Sequence, residues 1–112
     1  MSDQNKKITA INELIKAARQ NIESTKEYCD HFHLINDVTP SADGCEECLK
    51  IGDEWVNLRI CLICGKVGCC DDSKTQHARK HFHAEKHALI MSYDPIADWI
   101  WCYKDETALS FS

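Results

Sequence analysis

Apolar residues follow two different rhythms along this chain, and the rhythms mark its elements. Ile8, Ile11, Leu14, Ile15, Ala18 and Ile22 recur at three- and four-residue spacing. That spacing gathers them into one stripe and predicts a helix over residues 6–28. Its other face is polar, and no Gly or Pro interrupts it. Such a stripe packs on the rest of the domain, or meets a partner helix or a second copy. Beyond it, residues 36–46 collect Pro40, Gly44 and small polar residues and read as a loop. Alternation then takes over. Residues 54–61 read as a strand, with Trp55, Asn57 and Arg59 on one face and Val56, Leu58 and Ile60 on the other. Residues 61–69 form a tight knuckle in which Gly65 and Gly68 supply backbone freedom. A helix over 73–86 opens with Ser73 as its N-cap. A strand over 88–93 stops at Asp94-Pro95, and the aromatic run 99–103 forms a last strand.

Charge and composition narrow the function classes. Thirteen Lys and Arg against eighteen Asp and Glu leave a net charge of −5. A general nucleic-acid binder needs a basic face, and so does a protein that adheres to anionic membranes; neither partner suits this balance. No apolar run is long enough to span a bilayer and the N-terminus lacks a secretory signal, so a cytoplasmic protein is expected.

Eight Cys and six His change the picture further. Disulfides do not recruit histidine, whereas zinc does, and here the two types interleave through residues 29–102. Cys45/Cys48 and Cys61/Cys64 each have the two-residue spacer that turns both sulfurs onto one ion, so each pair is half of a four-coordinate site. The remaining ligands come from Cys69, Cys70, His77, His81, His83 and His87. His77 and His81, four apart, share a helix face. Thiolate and imidazole donors with no open position favour closed structural zinc and argue against a hydrolytic site. Cys70 beside Asp71, with His83 to spare, could imitate a thiol nucleophile and base, but nothing in the spacing specifies an oxyanion hole or substrate cleft. The chain is therefore expected not to be an enzyme.

The order Cys29-x-His31, CEEC, CLICGKVGC, HARKHFHAEKH and WCY resembles the UBP-type zinc finger, the zinc-finger domain of ubiquitin hydrolases. The stretch DVTPSADGCEEC with GCCD is similar to small stand-alone bacterial members. The resemblance covers about residues 29–106. It implies an α+β fold: a short antiparallel sheet with one helix packed on it, held by zinc. Residues 1–28 are then an N-terminal amphipathic helix and residues 29–112 the finger. It also implies a cross-braced pairing in which Cys45 and Cys48 join Cys69 and His77, while Cys61 and Cys64 join His81 and His87. The step from the knuckle to His77 is one residue longer than in the family if Cys69 is the ligand; Cys70 would restore it. The resemblance further allows a third site of Cys29, His31, Cys102 and Asp105, with Asp105 in place of a last Cys.

Family members hold the C-terminal Gly-Gly tail of ubiquitin in an aromatic cleft with a cation for its carboxylate. Trp55, Trp101 and Tyr103 match its aromatic positions. Where ubiquitin-binding members carry an Arg after the knuckle, this chain has Asp71, which argues against ubiquitin itself; Arg59 is the substitute cation. The resemblance thus implies a non-catalytic module that recognises a protein or peptide C-terminal tail, of unassigned oligomeric state. A thiol-based redox or zinc sensor is the alternative, since eight Cys leave at least one thiol outside the paired sites.

Overall fold

A computed structural model describes residues 2–24, 30–94 and 96–110. The first element, α1 (Ser2–Ser24), begins four residues before the expected start, and residues 25–28 of the expected span lie outside the described residues. Its stripe does what an apolar stripe needs to do. Ile11, Ile15, Ala18 and Ile22 are buried, and the helix lies against the sheet at β4 (Ile96–Cys102) and against a 3-10 turn at Asp30–Leu34. Arg19 fastens this packing by donating to the Asp37 carboxylate at 2.7 Å and to the Ile35 carbonyl at 3.2 Å.

The remaining strands are β1 (Leu58–Cys61), β2 (Val67–Cys69), β3 (Leu89–Asp94) and β5 (Thr107–Ser110). They form one five-stranded antiparallel sheet in the order β2-β1-β3-β4-β5. The register places Ile60 opposite Met91, Met91 opposite Ile100 and Leu89 opposite Cys102. Because side chains alternate across a strand, these residues share the face that α1 covers, and all of them are fully buried. The other face carries Arg59 opposite Ser92 and Ile90 opposite Trp101. Helix α3 (His77–Glu85) covers only the β2–β1 end of that face. Gly68 permits this approach, since a Cβ there would lie 2.7 Å from the Ala78 backbone nitrogen. Gly65 turns the knuckle at φ +86°, where a side chain would be strained.

Three local differences from the alternation have physical causes. The predicted strand starts only at Leu58, because residues 55–57 are drawn into a loop. There Trp55 packs on Gly44, the Val56 N–H donates to Ser73 Oγ at 2.8 Å, and the Asn57 carbonyl accepts from the Cys70 N–H at 3.0 Å. Ser73 is thus a buried acceptor rather than an N-cap. The helix starts four residues later at His77, whose backbone N–H donates to Cys69 Sγ at 3.0 Å; Gln76 precedes it at φ +47° with no side-chain cap. Four elements were not anticipated: the 3-10 turn, β2 inside the expected knuckle, β5, and the short helix α2 (Glu46–Ile51) capped by Cys45.

Candidate metal centres and binding cleft

The knuckles, α2 and α3 bring the ligand candidates into two clusters. In the first, Cys45, Cys48, Cys69 and His77 place one donor atom each within 4.8 Å of one another. Helix α2 carries Cys48, with Cys45 at its cap; β2 ends on Cys69; α3 opens on His77. His77 Nδ1 lies 3.2, 3.3 and 3.6 Å from the sulfurs of Cys45, Cys48 and Cys69, and the Cys48 and Cys69 sulfurs are 4.0 Å apart. In the second cluster, Cys61, Cys64, His81 and His87 converge. Cys64 Sγ lies 3.3 Å from His81 Nε2, Cys61 Sγ lies 3.6 Å from His87 Nδ1, and the two imidazole nitrogens are 3.2 Å apart. Zinc bonds of ~2.3 Å to sulfur and ~2.0 Å to nitrogen give tetrahedral edges of roughly 3.3–3.8 Å, so both donor sets fit the ion.

The electrostatics of the donors agree with that fit. Burial pushes the Cys45 thiol up to about 12 and the Cys61 thiol to about 11. Thiolates so desolvated need a cation beside them. Burial also opposes ionisation of Cys69, but hydrogen bonds from the Thr75 hydroxyl and the His77 N–H outweigh it and hold this thiol below its usual value. His77 and His81 are lowered, first by burial and then by Lys80 and His87 respectively, which keeps the imidazoles in the neutral ligand form. The geometry brings Cys69 into the cluster and leaves Cys70 out; Cys70 is buried with its sulfur 3.7 Å from Ser73 Oγ. All described cysteines are free thiols.

A third group joins His31, Cys102 and Asp105, with His31 Nδ1 2.9 Å from Asp105 Oδ2. Cys29, the fourth candidate for this site, lies outside the described residues.

The open part of the sheet's second face forms a cleft of about 190 Å³ lined by Arg59, Asp71, Ile90, Trp99, Trp101 and Tyr103. It is smaller than the pockets of drug-sized ligands and suits a narrow chain. The Arg59 guanidinium lies 5.0 Å from the Trp99 ring centroid and donates to the Leu58 carbonyl at 3.1 Å and to Ser92 Oγ at 3.4 Å. The structure therefore brings together Arg59, Trp101 and Tyr103. It places Trp55 elsewhere, in a separate groove with Leu49, Gly52 and Glu54, because the loop over 55–57 breaks the alternation that would have set it beside Arg59. Trp99 takes part instead. Its signal was present in the run 99–103, where it stands two residues before Trp101 and so on the same face. Arg79, which holds Asp71, gave no sequence signal at all.

The family described as the Zn-finger in ubiquitin-hydrolases and other proteins matches residues 45–112, more than half of the chain. The chain belongs to this family. Ubiquitin carboxyl-terminal hydrolase 16 of Mus musculus is 41% identical over 110 aligned residues, covering 80% of this chain and 13% of the hydrolase. Ubiquitin carboxyl-terminal hydrolase 45 of Homo sapiens is 36% identical over 81 residues, covering 59% of this chain and 9% of that enzyme. The stretch shared with these hydrolases is their zinc-finger part and not the catalytic domain. The solution NMR structure of a Rhodopseudomonas palustris protein is 57% identical, with a TM-score of 0.72 over 79% of this chain and 86% of the other. Among the described residues, no helix is long and apolar enough to cross a membrane.

Proposed function

We propose that this chain is a non-catalytic, cytoplasmic zinc module that binds the C-terminal tail of a protein or peptide. Zinc is structural here. One ion is held by Cys45, Cys48, Cys69 and His77, another by Cys61, Cys64, His81 and His87, and a third by His31, Cys102 and Asp105 with Cys29. The observation that carries the binding reading is the cleft itself: Arg59, stacked over Trp99, offers a cation at a slot walled by Trp101 and Tyr103. Aromatic walls suit a tail without bulky side chains, and a guanidinium suits its terminal carboxylate.

The test is calorimetry of the zinc-loaded chain against ubiquitin ending in free Gly-Gly, ubiquitin lacking Gly-Gly, and a panel of other carboxylate-ended peptides. Native mass spectrometry counts the metals in the same sample. Binding that requires the free carboxylate and disappears in Arg59→Ala supports the reading; no binding to any carboxylate tail overturns it. A second reading, a thiol-based redox or zinc sensor, has one observation behind it. Cys64, a donor in the second cluster, is exposed to solvent and to oxidants. Peroxide that releases zinc at low dose would favour the sensor.

A further inference from the structure

Asp71 lines the cleft, yet its carboxylate is engaged. Arg79 Nε, in the first turn of α3, lies 3.0 and 3.1 Å from its two oxygens. The same guanidinium lies 5.1 Å from the Tyr103 ring centroid, and Tyr103 stacks on Phe82 with centroids 5.1 Å apart and an interplanar angle of 14°. The Gln76 side-chain amide donates to the Asp71 carbonyl at 2.8 Å and anchors the loop. The loop after the knuckle, α3 and the end of β4 thereby form one wall of the cleft, with Arg59 over Trp99 in the cleft beside it.

We infer that Asp71 is a positioning residue for ligand binding: it holds Arg79 against Tyr103, and Arg79 in return cancels its charge, so that Arg59 alone sets the cleft's preference for a free carboxylate. This rests on the tail-binding reading above. The charge count explains the preference. Asp71 and Arg79 together are neutral, which leaves the Arg59 guanidinium unopposed. Asp71 without Arg79 would be a bare carboxylate beside Arg59 and would repel an anionic tail.

The experiment is a double-mutant cycle on the full, zinc-loaded chain. Affinities are measured for a peptide ending in Gly-Gly with a free carboxylate and for its C-terminal amide. Asp71→Ala loosens the wall and weakens the amide peptide by about tenfold, and the carboxylate peptide by less, because the freed Arg79 guanidinium partly compensates. Arg79→Ala unmasks Asp71, so it weakens the carboxylate peptide more than the amide and narrows the ratio between them. The double variant binds the carboxylate peptide more tightly than Arg79→Ala alone. Tighter carboxylate binding by Asp71→Ala than by the unaltered chain would overturn the inference, since it would make Asp71 a simple repeller. Zinc stoichiometry of each variant separates misfolding from these effects. If the unaltered chain binds neither these peptides nor any tail of the panel above, the tail reading fails on its own, and NMR decides whether Asp71 holds Arg79. A protected Arg79 Nε–H signal that disappears in Asp71→Ala supports it; an Nε–H that exchanges freely in the unaltered chain overturns it.

Discussion

On the face of the sheet under α1, Leu58, Ile60, Leu89, Met91, Ile100 and Cys102 are fully buried; on the opposite face Arg59, Trp99 and Trp101 keep part of their surface exposed. Both faces come from the same strands and the same alternation. The difference is what closes them. A helix of 23 residues carries an apolar stripe onto the first face, and with the 3-10 turn packed on β3 that face is buried completely. On the second, α3 has only 9 residues, and its His77 and His81 turn to the candidate metal clusters at the β2–β1 end. The β3–β4 end is left open, with aromatic rings and one guanidinium in it. A short, ligand-bearing helix therefore creates a cleft by covering too little.

Removing the metals should break this comparison most severely. Chelation, or Cys69→Ser, severs the ties among α2, β2 and α3, and the apparent affinity of a structural zinc is on the order of 10 kcal/mol. The expected outcome is loss of the α3-covered end and with it the cleft, seen as collapse of NMR dispersion for residues 45–87. Next in size is the closed face. Ile100→Ala leaves a cavity under α1 and should cost about 2–5 kcal/mol in a denaturant melt of the zinc-loaded chain. Arg59→Ala on the open face should change stability by less than about 1 kcal/mol while abolishing carboxylate-tail binding. That contrast is the direct check that the two faces have separate roles.

The smallest effect is a pH one. The Glu47 carboxyl is held below the usual carboxylate range, first by Lys66 and then by Lys50, across a 2.9 Å bridge between α2 and the start of β2. A depressed carboxyl contributes stability that is present above its unfolded value and is lost as pH falls through the folded one. The unaltered chain should therefore lose a little more stability than Glu47→Gln below about pH 4.5, by less than about 1 kcal/mol. Melts of both proteins across that range check it.

Much of this was legible residue by residue. The α1 stripe, the two Cys-x-x-Cys halves and the His77/His81 face are local patterns, and local patterns set which side chains point together. They do not set what lies opposite. Ser73 has the chemistry of an N-cap, but the Val56 N–H takes its oxygen and α3 starts where Cys69 accepts the His77 N–H. Trp55 stands two strand positions from Arg59, but the loop at 55–57 turns it into another groove. Strand β5 reads Thr-Ala-Leu-Ser, in which apolar and polar residues do not alternate although burial does, and only its pairing with β4 defines it.

The amino-acid sequence by itself determined the family, the donor types that suit zinc, and the long helix that closes one face, because each rests on residue identity and short-range spacing. Three things were decided only by the tertiary structure. Cys69 rather than Cys70 joins the first cluster; Trp99 rather than Trp55 lines the cleft; and Asp71 meets Arg79. Each depends on strand register and on how far α3 reaches over the sheet, and these follow from long-range packing that no window along the chain contains.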